Sequence, residues 1–255
     1  MNIRHNEIIS LARAKGKVTV EELSNHFSVT VQTARRDLAE LSEQGLLRRV
    51  HGGAVFVEGV TNIGYQERRN LNSPSKEAIA IRCAQDIPDN SSVFINIGTT
   101  TEAVAEQLAR HSKLLIVTNN INIGTYLAQN SESEVILTGG SIRRADGGLV
   151  GLIAENITRN FKFDFAIIGC SGIDNDGDML DYDLREVSVS RTIISQARRT
   201  FVVADASKFN ITPPVKIASL KEVSRLYTDA DVPAEFIHEL SLSDTEVVKV
   251  SPNHA

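Results

Sequence analysis

In residues 28–53, SVTVQTARRDLAELSEQGLLRRVHGG, apolar positions recur at Val31, Ala34, Leu38 and Leu41. This is the three-to-four spacing of a helix with one buried face. Thr30 precedes the run, where a hydroxyl caps free backbone N–H groups. Gly45 is placed to end it, because glycine accepts the left-handed backbone of a helix C-terminus. Residues 46–50 then read as a strand and His51-Gly52-Gly53 as a tight turn. Upstream, Ile3, Ile8, Ile9, Leu11 and Ala12 mark a first amphipathic helix, broken at Gly16-Lys17, and Val18 and Val20 suit a short strand. Thr19 followed three residues later by Glu22 is a capping box for a second helix over residues 20–27. Helix, helix, turn, helix and hairpin is the winged form of helix-turn-helix.

The pattern then thins. Residues 57–73 carry few apolar positions and include Gly59, Thr61-Asn62 and Gly64, which reads as a linker with Arg68 and Arg69 solvated. Ser73-Pro74 resembles a helix start, with Ile79, Ala80, Cys83 and Ala84 on its apolar face. Beyond it, short apolar runs centred on Val93-Phe94-Ile95, Leu115-Ile116-Val117, Val135-Ile136-Leu137, Phe165-Ala166-Ile167 and Phe201-Val202-Val203 alternate with helical stretches. That alternation predicts an open, mostly parallel α/β sheet. The domains expected are a winged helix-turn-helix head over 1–57, a linker over 58–73 and a larger α/β domain over 74–255.

Charge sharpens the division. The formal net charge of the 255 residues is −5, but residues 1–57 hold eight Lys/Arg against six Asp/Glu, while the remainder holds 19 against 26. A slightly basic head on an acidic body suits a DNA reader joined to a regulatory domain. Cys83 and Cys170 lack metal-type spacing and read as buried thiols of a reducing cytoplasm. No apolar h-region and no stretch of membrane-spanning length is present, so neither a signal peptide nor a membrane partner is expected.

The candidate chemistry follows from these elements. Gln32, Thr33 and Arg36 face away from the apolar stripe in the first turns of the third helix, flanked by Arg35 and preceded by Thr30. A recognition helix presents its N-terminal residues to base edges, where Gln pairs with adenine and Arg with guanine. Arg48, Arg49, His51 and Gly52 form a basic wing suited to phosphates or a minor groove. In parallel sheets, ligands bind beyond the carboxyl ends of strands. Here those ends carry Gly98-Thr99-Thr100-Thr101, Asn119-Asn120, Gly139-Gly140 and Lys208. Helix N-termini, hydroxyls and a lysine together suit a phosphorylated ligand. Asp174 and Glu186 would either shuttle protons or accept hydrogen bonds from ligand hydroxyls. Ordinary turn and cap roles compete for each of these residues. No metal or cofactor site is read.

Glu21-Glu22-Leu23, Phe27-Ser28-Val29-Thr30, Thr33-Ala34-Arg35-Arg36-Asp37-Leu38 and His51-Gly52-Gly53-Ala54 resemble the DeoR family of bacterial transcriptional repressors. Ala34 stands where the usual motif has Ile. The body is similar too, at Ile97-Gly98-Thr99-Thr100, Thr118-Asn119-Asn120, Thr138-Gly139-Gly140, Gly172-Ile173-Asp174 and Ala204-Asp205-Ala206-Ser207-Lys208-Phe209. Within the family the chain looks most like the branch of glycerol-3-phosphate regulon repressors. The resemblance implies a sensor domain like ribose-5-phosphate isomerase, a sugar- or polyol-phosphate inducer such as glycerol 3-phosphate, operator DNA and a homo-oligomer. It places the phosphate loop at residues 98–101, the Ser-Lys phosphate contact at Ser207-Lys208, and the acidic pair at or near Asp174 and Glu186. Where the isomerase has a Lys and a run of glycines, this chain has Met179-Leu180-Asp181-Tyr182-Asp183-Leu184, which argues for binding without turnover. The rival readings are an active isomerase carrying a DNA-binding head, and an activator with the same parts.

Overall fold

The structure is a computed structural model that describes residues 3–15, 17–43, 46–56, 65–209, 211–232 and 234–251. The chain divides into two compact units, Met1–Ile63 and Gly64–Ala255.

In the first unit, α1 (Ile3–Lys15), β1 (Lys17–Thr19), α2 (Val20–His26) and α3 (Val31–Glu43) are followed by β2 (Leu47–Val50) and β3 (Gly53–Phe56). The capping box at α2 forms as expected: the Thr19 side chain accepts from Glu22 N at 3.1 Å and the Glu22 carboxylate accepts from Thr19 N. The strands make an antiparallel sheet in the order β1-β3-β2, so the wing is present. A Cβ on Gly53 would stand 2.0 Å from the Val18 carbonyl oxygen, so this crossing of β3 over β1 requires glycine. Ile8, Leu23, Ala34, Leu38, Leu41, Leu47 and Ala54 close one core. Each fully buried leucine there is worth ~1.5–3 kcal/mol of hydrophobic stabilisation. Val31 departs from the expected stripe: it is 41% exposed, one turn too early to reach that core. Gly16 and Gly45, read as helix breakers, lie outside the described residues.

In the second unit, α4 (Tyr65–Asn70) and α5 (Ser73–Gln85) lead into β4 (Ser92–Ile95), α6 (Thr99–Leu108), β5 (Leu115–Thr118), α7 (Ile121–Asn130) and β6 (Glu134–Leu137). A hairpin, β7 (Ser141–Ile142) and β8 (Leu149–Val150), precedes α8 (Leu152–Arg159) and β9 (Phe163–Ile168). Then come β10 (Gly172–Ile173), β11 (Asp178–Asp181), α9 (Leu184–Gln196), β12 (Ala197–Val203), β13 (Val215–Ser219), β14 (Arg225–Thr228), α10 (Ala234–Ser241) and β15 (Glu246–Lys249). Seven strands form one all-parallel sheet in the order β15-β14-β12-β9-β4-β5-β6. Alternate residues of β4 show why both faces are covered. Val93 and Ile95 pack with α5, α6 and α7, whereas Phe94 packs with Ala154 of α8 and Val189 and Ile193 of α9.

Three features differ from the sequence-based expectation. The second half of the expected linker contains α4, because Tyr65 and Arg68 find partners within the body. A second sheet, β10-β11-β13, is antiparallel and sits among the core residues Ile173, Met179 and Ile217. Helix α5 also begins differently. Asn72 is in the left-handed region at φ 54°, with no side-chain cap, and Ser73-Pro74 opens the first turn.

Candidate functional site

On the head, Gln32, Arg35 and Arg36 are exposed and Thr33 is half-buried on α3. Thr30 Oγ1 accepts from Thr33 N at 3.1 Å, so the expected cap is in place. Arg36 is 82% exposed and its Nε donates to Glu40 at 2.9 Å, a surface pair one helical turn away. Such a pair is weak and leaves the guanidinium available to a base. Arg49 and His51 are exposed on the wing, and Gly52 takes φ 75° in its turn. The side chain of Arg48 lies outside the described residues. Behind this face, Asp37 is buried and accepts from Arg4 Nε at 2.6 Å, Arg4 Nη2 at 3.0 Å and His5 Nε2 at 3.1 Å.

In the body, strand order reverses direction between β9 and β4, and that is where a doubly wound sheet opens a crevice at its carboxyl edge. The loops ending β4, β5, β9 and β12 bring residues 96–101, Asn119-Asn120, residues 169–171 and residues 205–208 to this edge. The loop between β7 and β8 lies over it: Leu149 N donates to Asn119 O at 2.7 Å and Ile121 N to Gly147 O at 3.2 Å. Gly140 has φ 113°, and a Cβ there would stand 2.8 Å from the Val150 carbonyl oxygen, so Gly139-Gly140 serves the close approach of this hairpin.

A set of charges surrounds the crevice. Asp205 is buried; its Oδ1 accepts from Asn72 Nδ2 and Ser207 N, each at 2.9 Å. Burial raises its carboxyl, but Lys208, Ser207 and Lys76 outweigh that and hold it below the usual range. Lys76 is buried on α5, and burial pushes its ammonium down to about 8, with Asp205 and Glu102 attracting and Lys208 and Arg68 repelling. Lys76 and Thr99, with Arg69, Glu102 and Gln107, line one cleft. Glu102, in the first turn of α6, accepts from the Tyr65 hydroxyl at 2.9 and 2.8 Å and from Asn120 Nδ2 at 2.9 Å. On the far side, Arg143 donates through Nε to Asp146 at 2.8 Å and pairs with Glu186, and Arg68 Nη2 stands 3.3 Å from Asp146. Burial and the Asp181 carboxylate outweigh the attraction of Arg143 and push the Glu186 carboxyl up to about 8. The Arg143 charge is thereby shared chiefly with Asp146, which is held low. Asn119 Oδ1 and Asp205 Oδ2 are buried and without a hydrogen-bond partner among the described residues.

The structure thus brings the loops of Gly98, Thr99 and Thr100, Asn119, Glu186 and Lys208 to one edge, and gives other expected site residues different work. Thr101 is fully buried and its hydroxyl donates to the Asn96 and Gly98 carbonyls, fastening the loop rather than facing a ligand. Asn120 caps α7 by accepting from Asn122 N at 2.9 Å. Asp174 Oδ1 accepts from Asp176 N and Asp178 N at 3.1 and 2.9 Å, so it shapes the β10–β11 turn. Arg68, expected to be solvated, is ion-paired and mostly buried, while Arg69 is exposed. Arg143, Asp146, Lys76, Tyr65 and Glu102 were absent from the sequence-based site. One of them left a signal: Lys76 shares a helical stripe with Ile79, Ala80 and Cys83, an unusual place for a charge. Cys83 and Cys170 are free thiols; Cys83 is buried as expected but Cys170 is only half-buried, and their surroundings raise both, Cys170 to about 12. Among the described residues, no helix is long and apolar enough to cross a membrane.

Comparison with known proteins agrees with this division. The family described as "DeoR-like helix-turn-helix domain" matches residues 4–60, and "DeoR C terminal sensor domain" matches residues 71–230. The chain is 44% identical to the glycerol-3-phosphate regulon repressor of Escherichia coli (strain K12), over 93% of this chain and 94% of that one. It is 43% identical to the protein of that name from Haemophilus influenzae, over 97% and 96%. An L-fucose operon activator of Haemophilus influenzae is 28% identical over 91% and 94%. Ribose 5-phosphate isomerase from Plasmodium falciparum shares 14% identity at a TM-score of 0.40, covering 55% of this chain and 53% of that one, a likeness too partial to bear on ligand or chemistry. The chain belongs to the DeoR family of DNA-binding transcriptional repressors, and is a regulator rather than an enzyme.

Proposed function

We propose that this repressor controls a polyol- or sugar-catabolic operon. In this reading it binds double-stranded operator DNA as a homo-oligomer, and glycerol 3-phosphate or a related phosphate ester at the sheet's carboxyl edge releases it. Thr30, Gln32, Thr33, Arg35 and Arg36 with the wing at Arg48, Arg49, His51 and Gly52 grip the duplex. The observation that supports the effector is electrostatic. Lys76 is buried next to the N-terminus of α6, with Asp205 and Glu102 attracting it and Lys208 and Arg68 near enough to repel it. A phosphate dianion there would relieve the mutual repulsion of these cations and meet the helix N-terminus. Relatives named as glycerol-3-phosphate regulon repressors support the same class.

Release requires that the ester change operator affinity by a coupling of ~1–3 kcal/mol, about 5–150-fold. The test is a gel shift on a DNA site selected by the protein from random sequence, titrated with glycerol 3-phosphate, ribose 5-phosphate and inorganic phosphate. Weakening by an ester but not by inorganic phosphate supports the reading, and unchanged binding across the panel rejects it.

A further inference from the structure

Helix α8 is built inside out. Its inward face carries Ala154, Glu155 and Thr158, all buried. The polar groups on that face are matched: Glu155 accepts from Ser188 Oγ at 2.7 Å and Arg159 Nη2 at 3.0 Å, and Thr158 Oγ1 donates to Ala154 O at 2.7 Å. Its outward face carries Leu152, Ile153 and Ile157, which are 72%, 63% and 36% exposed. By contrast, α6 and α7 turn Val104, Leu108, Ile123 and Leu127 into the core.

The outward face continues onto its neighbours. Ile142 of β7 is 62% exposed, and its hairpin partner strand β8 leads through Gly151 directly into α8. Leu184 is 64% exposed at the start of α9, and the preceding Asp183 lies 3.7 Å from Arg143, the residue after Ile142. These five side chains expose on the order of 550 Å², near the upper end for a patch on a monomer and about two thirds of the ~800 Å² each partner gives to a standard interface.

We propose that this face is where a second copy of the chain docks. The patch supplies the apolar centre of a contribution that its polar rim completes, and that centre carries no charge. Exposed Arg144, Asn156, Asn160 and Arg185 give it a polar rim, the anatomy of a protein interface. An uncharged apolar centre meets itself across a two-fold axis without like-charge conflict, as an isologous contact requires. The choice of a second copy also rests on the repressor reading, since helix-turn-helix heads read paired half-sites.

Sedimentation velocity on the full chain, without DNA or any phosphate ester, tests the interface separately from operator binding. The wild-type chain should sediment at a multiple of its 27.9 kDa. The double variant Leu152→Asp/Ile153→Asp should fall to half the wild-type mass or less. Leu242→Asp, a change at a residue 75% exposed beyond α10, should keep the wild-type mass. If the double variant lacks a cooperative melt, Leu152→Arg alone is read in its place. A wild-type chain that sediments as one copy at about 50 μM overturns the proposal, and so do interface variants that keep the wild-type mass.

Discussion

Arg143, on the loop that follows β7, contacts Glu186 in the first turn of α9, and both side chains are largely buried. The pair fastens the loop over the sheet edge to the helix that flanks it. It does so with a carboxyl group that burial and Asp181 have pushed up to about 8.

A carboxyl raised in the folded state stabilises the protein in full below its unfolded pKa, and that contribution is lost as pH rises to the folded value. Glu186 should therefore make the body less stable as pH climbs from about 4.5 to about 8. Glu186→Gln keeps the shape of the protonated form. Its stability, read from melting curves, should exceed that of the wild type by a margin that widens over this window, on the order of a few kcal/mol near pH 8. Parallel melting curves at pH 5 and pH 8 would show that Glu186 is ionised throughout.

Asp37 has the opposite sign. Burial would raise its carboxyl, but hydrogen bonds from Arg4 and His5 prevail and hold it low. Its stabilisation is present above the unfolded pKa and is lost as pH falls through the folded one. Asp37→Asn should cost the head about 1–3 kcal/mol at pH 7, measured by chemical denaturation. The deficit should shrink as the wild type is titrated below about pH 4.

Arg36→Ala should weaken specific binding by roughly 1–3 kcal/mol and relax preference at one base position. Arg49→Ala should weaken all sequences alike and reduce the salt slope by about 1. Salt titrations on specific and random duplexes distinguish the two. If Arg36→Ala weakened both duplexes equally, Arg36 would be a phosphate contact instead.

Lys208→Ala should leave operator affinity unchanged and raise the concentration of phosphate ester needed for release by about tenfold or more, since it removes a full charge beside Asp205. Unaltered ester potency in the gel shift would move the phosphate away from residues 205–208.

The head was legible in the chain because its determinants are local. Apolar spacing at Ala34, Leu38 and Leu41, the Thr19–Glu22 box and the glycines of the wing act within a few residues of one another. Val31 was misread because a helix's first residue can follow the stripe and still lie beyond the core. The loops at the carboxyl edge of the body's sheet were legible, but not which of their groups are free. Thr101, Asn120 and Asp174 have the right chemistry for a ligand, yet each satisfies a backbone group nearby.

The order of residues alone determined the two-part architecture, the parallel alternation and the polar strand ends, because periodicity and turn chemistry are short-range properties. Only the tertiary structure decided which charges meet. Lys76, Arg68, Glu102, Arg143, Asp146 and Glu186 come from separate helices and a hairpin loop. Their ionisation and pairing depend on burial and on distances of a few ångströms that no spacing in the chain encodes.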